Sequence, residues 1–429
     1  MWRLKSLFLY WNKTLIMRKR IQSTAALLAS FEIWVVAPVV VASIASARAL
    51  PIAVVVAGIF WAIRGLASGQ LSVRTPADWG IALLVLMLPI TLWATPLPDT
   101  TRPNVYRLLI GIALYYAIVN WTISRARVRR LMNGMVLGGL FLALSVPFTV
   151  HSPASKLRFI PTSLYAHFSL LVSDTVDPNI IAGFLLILLP SAITILLFAW
   201  RHLHWAECLL AIIALLVIAG MLLLTQSRGA LMGLGAALAV MALLYWRWSG
   251  LLLLPLAVTA TFIFWEQGIV TLLNAVTSSS TLGSLESRLE LWSHTFYIIQ
   301  DFSFTGIGMG SFALIVDMLY PLFLSAPGSV PHTHNLFLQL AVDVGLPGLI
   351  GWLAILMLVV MGAWQLYRHG RVTGDDWTVA IGVGLLCSQV ALVGHGLTDA
   401  VTWATSRPSP IVWGIWGLTI AAWRVLKAE

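Results

Sequence analysis

Charged side chains are scarce in this sequence, and their scarcity excludes most classes of soluble protein. Only 10% of the 429 residues are Asp, Glu, Lys or Arg, whereas 59% are hydrophobic. Soluble domains carry about 25% charged residues. The composition therefore excludes a soluble enzyme, a disordered chain and a nucleic-acid-binding module. The net charge of +10 fits a membrane protein, because such proteins concentrate Lys and Arg on their cytoplasmic side.

Cysteine and the common nucleotide-binding motifs are also lacking. The only two cysteines, Cys208 and Cys387, lie in apolar runs, so we expect no disulfide framework. The sequence contains no Walker A motif and no Asp-x-Asp motif. ATP-driven transport and cytoplasmic sugar-nucleotide chemistry are therefore disfavoured. The apolar stretch after Ala25 is long enough to span a bilayer and has no small-residue cleavage site behind it, so we expect no cleavable signal peptide.

The sequence contains many long apolar runs. A spanning helix needs about 20 mainly apolar residues, and we therefore predict an all-α polytopic membrane protein with about twelve transmembrane helices. The tenth run contains Gly345 and Pro347, so we expect that helix to be tilted or broken. The predicted spans lie near residues 24–45, 49–67, 79–97, 105–122, 131–149, 178–200, 206–225, 229–246, 250–267, 335–366, 378–398 and 409–426.

The distribution of basic residues predicts the orientation of the chain. With twelve spans and a cytoplasmic N-terminus, 18 of the 26 Lys and Arg residues fall on the cytoplasmic side. This bias follows the positive-inside rule, so we expect both termini in the cytoplasm. The predicted organisation is a basic N-terminal segment (1–23), spans one to nine (24–267), a large loop with an amphipathic helix (268–334), and spans ten to twelve with the C-terminus (335–429). The large loop is predicted to lie on the side of the membrane opposite the cytoplasm, called here the far side.

Eight basic residues fall on the far side, where the rule disfavours them, so we expect some of them to bind an anionic group. Arg288 lies in the amphipathic segment of the large loop, at the border of its apolar stripe and one turn from Trp292. From there its guanidinium can reach the lipid–water boundary. The alternative is an interfacial Arg that snorkels to lipid headgroups. The predicted stripe consists of Leu285, Leu289, Trp292, Phe296 and Ile299.

Arg228 is a second far-side cation, in the turn Thr225-Gln226-Ser227-Arg228-Gly229 between two spans. Gly229 and Gly233 have the G-x-x-x-G spacing that lets helices approach closely. An Arg at such a tight turn points into the mouth of the bundle, and its donor fork suits phosphate. The alternative is an Arg that bonds the last carbonyls of a helix.

Two histidines, in Pro331-His332-Thr333-His334-Asn335, precede the tenth span. No Cys or carboxylate lies nearby at ligand spacing, and most zinc sites need three protein ligands, so we predict no metal. A His at the membrane boundary is a good general base. The alternative is that His or Asn335 caps the helix.

Two weaker motifs complete the far side. Asp177-Pro178-Asn179 begins the sixth span, where an Asp before Pro is common capping chemistry. The Gly306-Ile307-Gly308-Met309-Gly310 run is weak evidence for phosphate binding, because no strand–turn–helix context surrounds it.

Taken in order, these motifs resemble the O-antigen ligase and polymerase superfamily. The resemblance rests on Thr225–Gly229, Arg288 with Trp292, the glycine run, and His334-Asn335-Leu336-Phe337-Leu338-Gln339 followed by Gly345-Leu346-Pro347-Gly348; Asp177-Pro178-Asn179 is similar to a further family element. It covers about residues 170–350. Twelve helices with one large late loop favour the O-antigen ligase branch over O-antigen polymerase or protein O-oligosaccharyltransferase.

The resemblance implies a GT-C-like glycosyltransferase that needs neither metal nor ATP and has no cofactor. It would act at the periplasmic face of the bacterial inner membrane. It would move O-antigen polysaccharide from undecaprenyl diphosphate to a sugar hydroxyl of the lipid A-core, with inversion. The resemblance makes His334 the general base, with His332 as its rival, and places Arg228 and Arg288 on the diphosphate. Further possible substrate-binding residues are His332, Asn335, Asp177, Asn179 and Trp292.

Two other classes of function remain open from the sequence. A flippase or polysaccharide transporter would use the same basic cavity without a base, so that loss of His334 would leave export unaffected. A structural scaffold of a glycan-assembly complex would tolerate any single polar substitution.

The charge distribution predicts which loops an impermeant thiol reagent can reach. In intact cells, cysteines placed at Ser279 and Ser325 should react, because the large loop is predicted to be periplasmic, and a cysteine at Ser124 should not. The reverse labelling pattern would contradict the predicted orientation.

Overall fold

The computed structural model describes residues 17–150, 160, 163, 165, 176–250 and 285–428. Within these residues the chain forms fourteen α-helices and no β-strand, which confirms the predicted all-α fold. The helices are α1 (Met17–Ser30), α2 (Glu32–Ala45), α3 (Leu50–Ser68), α4 (Asp78–Ala94), α5 (Pro98–Trp121), α6 (Arg125–Thr149), α7 (Pro178–Ala199), α8 (Trp205–Leu224), α9 (Arg228–Tyr245), α10 (Leu285–Asp301), α11 (Phe312–Leu319), α12 (Leu336–Thr373), α13 (Asp376–Gly396) and α14 (Pro410–Leu426).

Seven described helices are long and apolar enough to cross a membrane, and the pair α1–α2, bent by 45°, makes an eighth if it forms one span. The helices α4 and α14 are apolar but shorter. Ten of the twelve predicted spans coincide with one described helix each, and the first falls on the bent pair α1–α2. The ninth, near 250–267, lies beyond Gly250 and thus outside the described residues. The chain is a multi-pass membrane protein.

Helices α7 and α13 form the centre of the bundle. They pack along each other and are buried on nearly all sides, whereas α3, α8 and α9 each bury one side only. A helix that is apolar all round is stable only inside a core or a bilayer. Around this centre, α12 packs on α13, α4 and α14, and α5 packs on α14.

Glycines bring α9 close to α13. A Cβ added at Gly233 would lie 3.0 Å from both the carbonyl oxygen of Ala391 and the backbone nitrogen of His395. A Cβ at Gly229 would overlap the Thr398 side chain, just after α13 ends. The close approach expected of the G-x-x-x-G spacing is therefore present, and it brings the start of α9 to the end of α13.

The long helix α12 is broken at Gly345, as predicted. Gly345 has φ 72° and ψ 172°, a conformation essentially restricted to glycine. The turn after α10 docks into this break: Ile307 N donates to the carbonyl of Val342 (2.8 Å), and Leu346 N donates to that of Ser303 (2.7 Å). The break therefore anchors the large loop to the spanning bundle.

The run Gly306, Gly308 and Gly310 serves the same docking. All three have positive φ angles, of 64°, 95° and 89°. A Cβ at Gly306 would lie 2.7 Å from both Val342 O and Gly345 N, and one at Gly308 would overlap Thr95. The run thus allows the chain to lie against α12 and the end of α4.

The buried face of α10 differs from the predicted stripe. Leu291 and Ile298 are buried against α11 and the start of α12, with Trp292 and Ile299 alongside. Leu289 and Phe296 are exposed instead, at 53% and 54%. These two positions stay exposed because α11 and α12, which pack on α10, cover a face that is rotated from the one with the largest apolar side chains.

The break in α12 generates a matched pair of stability predictions. Gly345→Ala should lower the free energy of unfolding by about 3 kcal/mol or more, because the added Cβ overlaps the Phe304 carbonyl and the backbone is left-handed. Gly374→Ala, at the C-cap of the same helix, has φ 70° and open space around the Cβ, so it should cost only about 1 kcal/mol. Thermal unfolding in detergent measures both, and equal losses would contradict this account.

Candidate active site

Asn335 fixes the end of the loop that leads into α12. Its Oδ1 accepts hydrogen bonds from the backbone N–H groups of Phe337 (3.0 Å) and Leu338 (3.1 Å), which caps the helix. Its Nδ2 donates to the carbonyl of Leu397, just after α13 (3.3 Å). The capping alternative therefore holds for Asn335, which also ties the start of α12 to the segment after α13.

Thr333 holds the loop in place between the two histidines. The indole Nε1 of Trp292 donates to the Thr333 carbonyl (2.9 Å), and Thr333 N donates to Oε1 of Gln339 (2.9 Å). Trp292 therefore links α10 to the histidine loop. These two hydrogen bonds fix the backbone of Thr333 and thereby the positions of its neighbours, His332 and His334.

The backbone is strained at two points of the site. Among the described residues, two non-glycine residues have positive φ, Gln226 (52°) and His334 (50°). One precedes Arg228 by two positions and the other is the predicted base. Such conformations cost of order 1–3 kcal/mol and cluster at functional sites.

His332, His334 and Asp399 form a cluster, called here the His–Asp cluster. Oδ1 of Asp399 lies 3.6 Å from Nε2 of His332 and 3.8 Å from Nδ1 of His334. The same oxygen accepts a hydrogen bond from Ala400 N (2.8 Å). The two imidazole rings are 4.4 Å apart at an angle of 63°. A buried carboxylate thus faces both histidines.

The surroundings of the His–Asp cluster lower the pKa values of both Asp399 and His332, but for different reasons. Burial alone would raise the pKa of Asp399, but the interactions with His334, His332 and His395 outweigh it and hold that pKa well below its usual range. Burial lowers the pKa of His332 to about 4, although the charge of Asp399 opposes the shift. At neutral pH, Asp399 is therefore an anion and His332 is neutral.

The ring of His334 stays free of hydrogen bonds within the described residues. His332 Nδ1 accepts a hydrogen bond from the backbone N–H of His334 (3.2 Å), so its proton is on Nε2, which faces Asp399. His334 directs Nδ1 toward Asp399 at 3.8 Å, beyond hydrogen-bond distance, and neither of its ring nitrogens makes a hydrogen bond with any residue that the structure describes. An imidazole whose other nitrogen faces a carboxylate is the arrangement of a general base.

Arg228 and Arg288 lie within electrostatic range of each other, and Arg288 lies within range of Asp399. Burial lowers the pKa of Arg288, the Asp399 charge opposes that shift, and the Arg228 charge adds to it. Arg228 is the first residue of α9, whose N-terminus is capped by Ser227. The close approach at Gly229 places that N-terminus at the segment that carries Asp399.

Buried hydrogen bonds to Asp343 support the His–Asp cluster. The carboxylate of Asp343 on α12 accepts hydrogen bonds from Nε2 of Gln339 (2.9 Å) and from Nε1 of Trp403 (2.8 Å). Gln339 also binds Thr333, and Trp403 belongs to the segment that carries Asp399. The network therefore joins both loops of the His–Asp cluster to one buried side chain.

Asp177 and Asn179 are not brought into this assembly by any described hydrogen bond or ion pair. Oδ1 of Asp177 accepts from the backbone N–H of Asn179 (2.7 Å), and Asp177 is the N-cap of α7. The capping alternative accounts for this interaction. A direct role for either residue toward substrate stays a prediction.

Sequence reasoning missed Asp399. Its signal was a carboxylate in a short far-side segment between two apolar runs, in Thr398-Asp399-Ala400. The expectation that the two histidines lack a third ligand was also wrong, because folding supplies this carboxylate. Ligand atoms of His332, His334 and Asp399 all lie within 4.8 Å of one another, so the three residues could hold a metal ion.

Comparison with known proteins finds a match to a family model. The comparison with curated proteins finds no match. Residues 213–353 match the family model described as O-antigen ligase. The matched range includes Arg228, Arg288, His332 and His334, and it ends before Asp399. Together with the multi-pass helical fold, this match over about a third of the chain supports an O-antigen ligase family assignment.

Proposed function

We propose that this protein transfers O-antigen polysaccharide as a block from undecaprenyl diphosphate to a sugar hydroxyl of the lipid A-core. The reaction takes place at the periplasmic face of the bacterial inner membrane, with both termini in the cytoplasm. The observation that carries the proposal is the available Nε2 of His334, on a ring that faces the buried Asp399 beside two arginines. The family match supports the class of reaction.

His334 acts as the base on the acceptor. Its Nε2 takes the proton from the acceptor hydroxyl as that oxygen attacks the anomeric carbon of the donor sugar. Asp399 is a positioning residue that orients the ring and stabilises the imidazolium that forms. The left-handed backbone at His334 and the hydrogen bonds at Thr333 hold this geometry before substrate binds.

Arg228 and Arg288 bind the diphosphate. As the bond between the anomeric carbon and the diphosphate oxygen breaks, negative charge grows on the leaving group, and the guanidinium donors stabilise it. The new glycosidic bond forms on the opposite face of the sugar, so an α-linked donor gives a β-linked product. The lipid diphosphate leaves, and its charge needs no proton at this stage.

Substitution of the cluster should separate turnover from binding. His334→Ala should lower the transfer rate by about 10²–10⁴-fold, because the base is lost, while the undecaprenyl-linked donor still binds. Asp399→Asn keeps the size of the side chain and loses its charge, so it should reduce turnover in the same direction. The measurement is transfer by purified protein supplied with lipid-linked glycan and lipid A-core acceptor.

The matched control is His369→Ala, in the last part of α12 and remote from the cluster in sequence. It should leave transfer unchanged. Full activity in His334→Ala together with loss in His332→Ala would move the role of base to His332. Normal turnover in both histidine variants would contradict the proposed mechanism.

Substitution of the arginines should weaken stabilisation of the leaving group. Arg228→Ala and Arg288→Ala should each reduce transfer by about 10²–10³-fold. Lys at either position keeps the charge but not the donor fork, so it should restore only part of the activity. Arg102→Ala, which removes an exposed arginine of the same predicted side, is the control. Normal transfer in both Ala variants, with protein folded and present at normal level, would exclude this role.

A metal-assisted reaction is a second candidate, because the His–Asp cluster has three potential ligands. The cationic Arg288, within range of Asp399, disfavours a divalent cation there, since like charges repel. Incubation with EDTA distinguishes the two mechanisms. We expect no effect on transfer, whereas inhibition that added metal reverses would establish the metal-assisted reaction.

The same assay tests the remaining alternatives. Product formation that depends on lipid A-core supports the ligase over a polymerase or a protein oligosaccharyltransferase. A transporter would move glycan normally in His334→Ala and form no glycosidic bond.

A further inference from the structure

A basic pocket lies in a part of the bundle that carries none of the proposed active-site residues. It is an open cavity of about 410 Å³ between the chain before α4 and the last turns of α14. Three cationic residues line it, Arg74, Arg424 and Lys427, and none of the described residues that line it is acidic. Ile420 and Trp423 supply an apolar wall.

The three cations keep donors that hydrogen bonds within the protein do not use. Arg424 donates from Nη2 to the carbonyls of Val119 (2.9 Å) and Thr122 (3.1 Å), but its buried Nη1 has no hydrogen-bond partner among the described residues. Lys427 donates once, to Oε1 of Gln365 (3.1 Å). Arg74 is exposed and makes no hydrogen bond or ion pair with the rest of the described chain.

Asp78, an acidic residue that contacts the lining residue Thr75, already has hydrogen-bond partners. Asp78 accepts hydrogen bonds from the backbone N–H (2.9 Å) and hydroxyl (2.5 Å) of Thr75 and from the hydroxyl of Tyr116 (2.9 Å). Its carboxylate therefore stabilises the segment just before α4 and does not pair with the three cations. A group of like charges with free donors is stabilised when an anion binds.

We propose that the basic pocket binds the phosphate of an anionic phospholipid headgroup. The phosphate accepts from Arg74, Arg424 and Lys427, and the beginning of the acyl chains lies along Ile420 and Trp423. All three cations belong to the side that the charge distribution assigns to the cytoplasm. Anionic headgroups lie at this level, and basic pockets between helices are a recurrent way to bind them. Trp is likewise enriched at the membrane boundary.

The apolar wall favours a lipid over free phosphate. Inorganic phosphate would contact the cations alone, whereas a phospholipid also covers Ile420 and the Trp423 ring. Lys427 already lies 5.9 Å from the centre of that ring, so the cationic and apolar parts of the pocket are adjacent. Both parts can therefore contact one lipid molecule at the same time.

The test is lipid binding to the purified full chain in detergent, followed by native mass spectrometry. Phosphatidylglycerol should bind one molecule per chain in preference to zwitterionic phosphatidylcholine. The double variant Arg74→Ala/Lys427→Ala should weaken phosphatidylglycerol binding by roughly thirtyfold, since each basic residue near an anionic surface contributes about a fivefold change in affinity. Both side chains are exposed, so their loss leaves the core intact.

The control removes equal charge from the same predicted side. Arg368→Ala/Arg371→Ala changes two exposed arginines of α12 that do not line the pocket, and it should alter binding by no more than about twofold. An equal loss in both double variants, or equal binding of the two lipids, would overturn the proposal. Displacement of phosphatidylglycerol by an equal concentration of inorganic phosphate would instead establish a free-phosphate site and overturn the assignment to lipid.

Discussion

The carboxylate of Asp399 is the group around which the candidate active site is arranged. A charge buried this deeply persists only when partners compensate it. The partners come from separate parts of the chain: the two histidines from the loop before α12, and Arg288 from α10. Attraction to one buried anion therefore favours the convergence of these elements. Arg228, at the start of α9, adds a second cation near Arg288.

Close approach of backbones makes that convergence possible. Gly229 lets α9 reach the segment after α13, and Gly345 lets the turn after α10 dock into α12. Asp343 then joins Gln339 and Trp403, so the two loops of the His–Asp cluster cannot move independently without breaking buried hydrogen bonds. A site held in this way is organised before its substrate arrives, which is what electrostatic stabilisation of a leaving group requires.

The two groups of cations have different surroundings. At the candidate active site, Arg228 and Arg288 accompany histidines and a carboxylate, an arrangement suited to proton transfer beside a phosphate group. In the basic pocket, the cations accompany an aromatic and an aliphatic wall and no acid among the described lining residues, an arrangement suited to retention of a lipid. The neighbouring side chains, rather than the arginine itself, distinguish a reactive site from a binding site.

The sequence by itself determined the positions of most apolar helices, the break at Gly345, the close packing at Gly229 and Gly233, and the histidines of the cluster, because hydrophobic length, glycine conformation and residue type are local properties. It did not determine the buried face of α10, where Leu289 and Phe296 face outward, since the helices that pack against it select that face. Nor did it reveal Asp399 as the partner of His332 and His334. Only the tertiary structure decided that pairing, because the packing of α9, α12 and α13 brings together residues that are distant along the chain.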